Sequence, residues 1–209
     1  LVGELGLIRK ILKTDFQGLF VDRIDSFERK IHAFGFHFAS LDIRQDSRII
    51  HGSLSEVFLQ QPKLKPQNFD QMNELEQVES LFSVEGSVDL TKISDPVIKD
   101  TLESLYTIRE IQEANGVHAC HRYIISNCRG AIDVARLYAL CRFCGWNTQD
   151  FTLDILPLFE TISDLRQSET SMRILYESSC YREHLSQRSN RQTVMLGFSD
   201  GTKDGGYLM

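Results

Sequence analysis

Pro157-Leu-Phe-Glu-Thr-Ile162 and Val194-Met-Leu-Gly-Phe-Ser-Asp-Gly-Thr-Lys-Asp-Gly-Gly206 are the two stretches on which the reading of this chain turns. Each opens as an apolar run of the kind that builds a buried strand. Each then meets a carboxylate, Glu160 in the first and Asp200 in the second. A charged side chain at the end of a hydrophobic strand is where an α/β barrel places its chemistry. Two such carboxylates, on separate strands, have the oxygen donors to share one hard divalent cation.

Working outward, two further strands are expected. Phe36–Arg44 alternates, with Phe36, Phe38, Ser40, Asp42 and Arg44 on one face and His37, Ala39, Leu41 and Ile43 on the other. His121–Asn127 is apolar at Tyr123, Ile124 and Ile125. The quoted stretches supply strands over Leu153–Phe159 and Thr193–Ser199. Helical spacing runs from about Leu5 to Ala33 as one or two helices, stopped by Gly35. Further helices are expected over Asp70–Phe82 and Asp95–Ala114, the latter capped by Ser94 with Pro96 in its first turn and Gly116 beyond its end. Ala131–Cys144 is a helix stopped at Gly145, and Leu165–Arg188 is helical with a break near Ser178. Gln60–Asp70, with two prolines, reads as a loop.

Strands separated by helices imply parallel βα units and a helix-rich α/β fold, a partial TIM-type barrel with many added helices. The domain expectation is one partial domain over 1–209, with a helical lead-in at 1–33 and a helical insertion at 53–117. Four strands make half of an eight-stranded barrel and leave open edges, so self-association or further chain is expected to cover them.

The 209 residues carry a net charge of −6 and have a pI near 5.5, without a basic run. That balance argues against a nucleic-acid or anionic-membrane surface. Five cysteines, an odd number without disulfide-scaffold spacing, point to reduced thiols and a cytoplasmic setting. No apolar run reaches membrane-spanning length, and no signal peptide is visible. A start at Leu1 and a stop at Met209 after a glycine-rich turn lead us to expect a piece of a longer chain.

Each candidate residue has a plain reading beside the functional one. Glu160 and Asp200 precede expected helices, and spacing alone favours a capping role. Arg44 offers a guanidinium fork to phosphate or carboxylate, or else pairs with Asp42, Asp46 or another neighbour. Lys203, in the polar turn after Asp200, either holds an anion or is solvated. Gly201, Gly205 and Gly206 allow close backbone approach, but a lysine following the glycines as in a Walker loop is absent. Cys141-Arg-Phe-Cys144, with His118, Cys120 and His121 upstream, has a zinc-like spacing, against which stands the apolar face of a helix. His37 is expected to pack on its strand, and His51 to lie on a surface loop.

Taken together, these segments resemble phosphoenolpyruvate carboxylase. The resemblance is carried by Phe34-Gly-Phe-His-Phe-Ala-Ser-Leu-Asp-Ile-Arg-Gln45, by Tyr123-Ile-Ile-Ser126 with Asp133-Val134, and by Pro157-Leu-Phe-Glu-Thr161 with Asp164-Leu165. Asn190–Gly206 adds the family's serine-aspartate, lysine-aspartate signature. The motifs occur in the family's order and cover about 30–52 and 118–209. Departures fall at Phe198, Gly201, Thr202, Asn127 and Cys128.

The resemblance implies a modified β/α barrel that joins phosphoenolpyruvate to bicarbonate, giving oxaloacetate and phosphate, with Mg2+ or Mn2+. It implies Glu160 and Asp200 as metal ligands, Arg44 as the holder of the substrate phosphate, and Lys203 near the bicarbonate region. It also implies that a histidine before Leu1 and a glycine-rich loop after Met209 complete the site. The chain alone is therefore expected to be inactive. A noncatalytic interaction or regulatory module that keeps a barrel-like core is the alternative.

Overall fold

The computed structural model describes residues 1–207. Four parallel strands form one sheet in the order β1-β2-β3-β4: β1 Asp42–Asp46, β2 Arg122–Ser126, β3 Asp154–Phe159 and β4 Met195–Leu196. The register sets Arg44 beside Ile124 and Ile124 beside Leu156, so one face of the sheet runs across these three residues. Leu158 lies beside Met195.

The main core lies on the other face. Tyr123, Ile125, Ile155 and Phe159 pack there with the crossover helices. Those are α3 (Ser47–Gln60), α4 (Glu74–Phe82), α5 (Pro96–Asn115), α6 (Ala131–Phe143), α7 (Ile162–Glu177) and α8 (Ser179–Gln187). Helix α6 is the hub. Val134, Leu137, Tyr138 and Cys141 are fully or almost fully buried, and α6 packs on both α3 and α4. Tyr138 stacks on Phe151 at 4.8 Å and meets Phe82 edge-on at 5.2 Å. The opposite face carries a cluster of Ile124, Leu156 and Leu158, with Met195 against it. One face of the sheet thus faces helices while the other carries a small apolar floor beneath the charged ends.

Before the sheet, α1 (Val2–Asp15) and α2 (Val21–Phe34) form a hairpin. Arg9 pins it by pairing with Asp25 at 2.7 Å and with Glu28. Leu7, Ile8, Ile11, Leu19 and Phe27 remain exposed on it.

Several boundaries differ from the sequence expectation. The first strand covers 42–46, not 36–44; Phe38 takes a left-handed conformation (φ 67°) and its ring stacks on Phe34 at 5.6 Å. His37 therefore lies before the strand, and Arg44 stands in its middle. The last strand pairs over two residues instead of seven, because α9 (Phe198–Gly205) begins just after it. Asp95, not Ser94, caps α5, accepting from the backbone N–H groups of Val97 and Ile98. Residues 60–71 contain two short 3-10 turns. The break at Ser178 is present, and Ser178 caps α8.

Candidate active site

The charged ends of the strands meet at the carboxyl edge of the sheet. Glu160 follows the last residue of β3, and its backbone is held on two sides. The neighbouring Phe159 carbonyl accepts the Gly197 N–H at 3.0 Å, which ties β3 to the start of α9. Asp164 Oδ2 accepts the Thr161 N–H at 3.0 Å and the Glu160 N–H at 3.4 Å. Thr161 and Asp164 form a reciprocal capping box on α7. Thr161 does the capping that the spacing suggested for Glu160, so the Glu160 side chain is released from that duty.

Glu160 Oε1 accepts a hydrogen bond from Arg44 Nη2 at 3.0 Å, across two strands. The backbone N–H of Asn127 donates to the same oxygen at 3.4 Å. Asn127 sits in the left-handed region (φ 54°), and Ser47 Oγ donates to its carbonyl at 2.7 Å. Among the described residues Glu160 Oε2 accepts no hydrogen bond. The Glu160 side chain is mostly buried while Arg44 is half-exposed, which leaves the guanidinium able to turn toward a ligand.

Asp200 lies in the first turn of α9, with Gly197 as the residue before the helix. It is not the cap; a carboxylate in the first turn is favoured by the helix dipole. A Cβ placed on Gly197 would fall 3.3 Å from Asp200 Oδ2 and 3.3 Å from Glu160 Cγ. Both acidic side chains therefore flank one point. Lys203 Nζ lies 3.6 Å from Asp200 Oδ1, one turn on, and is exposed. Asp204 Oδ2 accepts the Ile162 N–H at 2.8 Å and so fastens α9 to α7.

Arg44, Glu160, Asp200 and Lys203 thus gather at one end of the sheet. The donor set suits magnesium or manganese, which keep several waters and need only one or two protein carboxylates. No group of three or more His, Cys, Asp or Glu side chains able to hold a metal occurs among the described residues. Two carboxylates with free oxygens on facing edges are what this end offers.

The other candidates lie elsewhere. Cys141 and Cys144 are buried in the core, the Cys144 Sγ lying 3.7 Å from the Leu102 carbonyl. His51 lies in α3, not on a loop; burial lowers its pKa, with Arg136 adding to that and Asp133 opposing it. A cavity of about 710 Å³ opens at the amino ends of the strands, beside His118, His121, Arg122 and Asp154. It lies at the opposite end from Glu160 and holds none of the carboxylates that flank Gly197. The supporting roles of Ser47, Asn127 and Gly197 have no sequence signal, and Asp204 was visible only as the second aspartate of the signature. The Thr161-x-x-Asp164 spacing was a readable signal, as a capping box.

No helix among the described residues is long and apolar enough to cross a membrane. The family model for phosphoenolpyruvate carboxylase matches residues 1–209. A phosphoenolpyruvate carboxylase of Gloeobacter violaceus is 32% identical over 215 residues, covering 100% of this chain and 23% of its own length. That of Nitrosomonas eutropha is 34% identical over 210 residues, covering 97% and 22%. That of Chromobacterium violaceum is 32% identical over 220 residues, covering 100% and 24%. The chain spans less than a quarter of the length of these relatives. A match along its whole length, together with relatives more than 30% identical that cover all or nearly all of it, places this chain in the phosphoenolpyruvate carboxylase family.

Proposed function

We propose that this chain is a segment of a carboxylating lyase that joins phosphoenolpyruvate to bicarbonate, forming oxaloacetate and phosphate. The four-stranded sheet would be part of a β/α barrel, and the site stands at its carboxyl end, as barrel enzymes require. The observation that carries the reading is that the Glu160 and Asp200 carboxylates flank Gly197 while Arg44 of β1 pairs with Glu160 from across the sheet.

Glu160 and Asp200 would hold a magnesium or manganese ion through Oε2 and Oδ2. When bound, the ion supplies Lewis-acid stabilisation of the oxygen charge that develops as the phosphoryl group leaves. Arg44 exchanges its pairing with Glu160 for the substrate phosphate and offsets charge on the transferring group. Lys203, exposed one turn beyond Asp200, attracts bicarbonate to the same edge. The apolar floor of Ile124, Leu156 and Leu158 limits water beneath the reacting groups, which disfavours protonation of the enolate to pyruvate.

The chain supplies part of the site, and we expect no oxaloacetate formation from it alone in a coupled reduction assay. Cation and substrate binding is the direct test. Mg2+ or Mn2+ with phosphoenolpyruvate should raise the melting temperature, since a ligand bound only by the folded state stabilises it. Glu160→Ala and Asp200→Ala should each abolish that rise. An unchanged rise in both variants would refute the shared-cation site and favour a noncatalytic module.

A further inference from the structure

We propose that Gly197 is a positioning residue, a spacer that fixes the gap between the Glu160 and Asp200 carboxylates and so selects the size of the cation they accept. The inference rests on reading that pair as a cation site.

Residue 197 has no conformational need to be glycine. Its backbone angles are φ −81° and ψ 83°, open to any L-residue. Nor does helix capping call for it. α9 has no side-chain cap, and a serine or aspartate at this place would satisfy one of its free N–H groups. The sequence forgoes that stabilisation where space is short. A Cβ would stand 3.2 Å from Glu160 Cα, 3.3 Å from Glu160 Cγ and 3.3 Å from Asp200 Oδ2. Such contacts are too tight to accept without a shift of a few tenths of an ångström.

Which side yields follows from the anchoring. Glu160 Cα is fixed by the bonds of Phe159 to Gly197 and of Asp164 to the 160–161 backbone. Asp200 has a side chain about half exposed, on a helix without buried residues. The added methyl therefore moves the Asp200 carboxylate away from Glu160. The size of that shift is what separates two cations. Magnesium demands near-octahedral oxygens at about 2.0–2.1 Å, whereas calcium accepts about 2.3–2.6 Å in flexible geometry.

Gly201 is the internal control. It lies one turn on in α9, and a Cβ there would meet only the Glu160 carbonyl oxygen at 3.7 Å, an ordinary contact. The experiment loads wild type, Gly197→Ala and Gly201→Ala with Mn2+ and displaces it with Mg2+ or Ca2+, followed by electron paramagnetic resonance. Gly197→Ala should lose about tenfold or more in Mg2+ affinity, the usual scale for disturbing the support of a metal ligand. Its Ca2+ affinity should fall less, so the Ca2+ to Mg2+ preference rises. Gly201→Ala should keep the wild-type preference. Both ions compete for the same folded molecules, so the ratio holds even if a variant is less stable. An unaltered ratio in Gly197→Ala, with Mn2+ still displaced from Glu160 and Asp200, overturns the spacer role and leaves the cation reading standing. Mn2+ binding that is absent in wild type, or insensitive to Glu160→Ala and Asp200→Ala, overturns the cation reading itself.

Discussion

Acidification should destabilise this chain in part through one buried imidazole. His184 of α8 is 3% exposed. Its ring lies among Phe151 at 4.8 Å, Tyr181 at 5.4 Å and Tyr138 at 5.9 Å, and its Nδ1 has no hydrogen-bond partner. Burial in this aromatic nest, reinforced by the charge of Arg188 and opposed by that of Asp154, pulls its pKa down to about 4. In the unfolded chain a histidine takes its proton near pH 6.5. Between those values the unfolded state binds the extra proton and the folded state does not. His184 therefore favours the fold fully above about pH 6.5, and the benefit is lost as the pH falls through about 4. At about 1.4 kcal/mol per pKa unit, the loss reaches roughly 3 kcal/mol by pH 4. The assay is urea unfolding at a series of pH values for wild type and His184→Gln. The variant starts less stable, since the ring packing is gone, but its stability should fall less steeply below about pH 6.5. A residual slope is expected from His121, whose pKa burial also lowers. Parallel curves for the two proteins would refute the assignment.

Other outcomes follow from the same packing. Asp133 is 3% exposed, accepts the Arg129 N–H at 3.0 Å and pairs with Arg136 at 2.8 Å; Asp133→Asn should cost about 2–3 kcal/mol in urea unfolding. A cost near zero would mean the pair is idle. Burial raises the thiols of Cys128 and Cys144 to about 12 and holds that of Cys141 well above its ordinary value, while Cys180 is only half-buried. Iodoacetamide on the native chain should therefore label Cys180 first by mass spectrometry, and equal labelling of Cys144 would contradict the packing.

Much of the architecture was legible because strong periodicity survives folding. Of the apolar stripe Val97, Leu102, Leu105, Ile108 and Ile111 in α5, the three middle residues are fully or almost fully buried, Ile111 is partly buried and Val97, in the first turn, is exposed. The carboxylate-bearing ends of β3 and of the 194–206 stretch were legible too, as an apolar run stopped by charge. What failed was local preference without tertiary partners. Phe36 and Phe38 favour a strand, yet among the described residues no neighbouring strand reaches them, and both rings are largely exposed. The reverse error fell on α3. Its serines and Gly52 depress helix propensity, so no individual helix was drawn over 47–60, only the general expectation of a helical insertion from residue 53. Ile50, Leu54, Val57 and Phe58 nevertheless share one buried stripe. In the site, Glu160 and Arg44 are 116 residues apart, and their contact comes from strand order, which periodicity does not encode. Neither the left-handed turn at Asn127 nor the crowding at Gly197 leaves a mark in composition.

Strand β1 borders the sheet on one side, pairing with β2 alone among the described residues. An unpaired margin invites other chains to add strands and, in time, insoluble fibrils. Asp42-Ile-Arg-Gln-Asp46 counters that hazard, because three of its five residues are charged, and Asp42, Arg44 and Asp46 share a face. The arginine for which we propose a phosphate-holding role thus also serves as a gatekeeper. Replacing it with a β-branched apolar residue would remove the pair with Glu160 and open a template for self-assembly at the same margin.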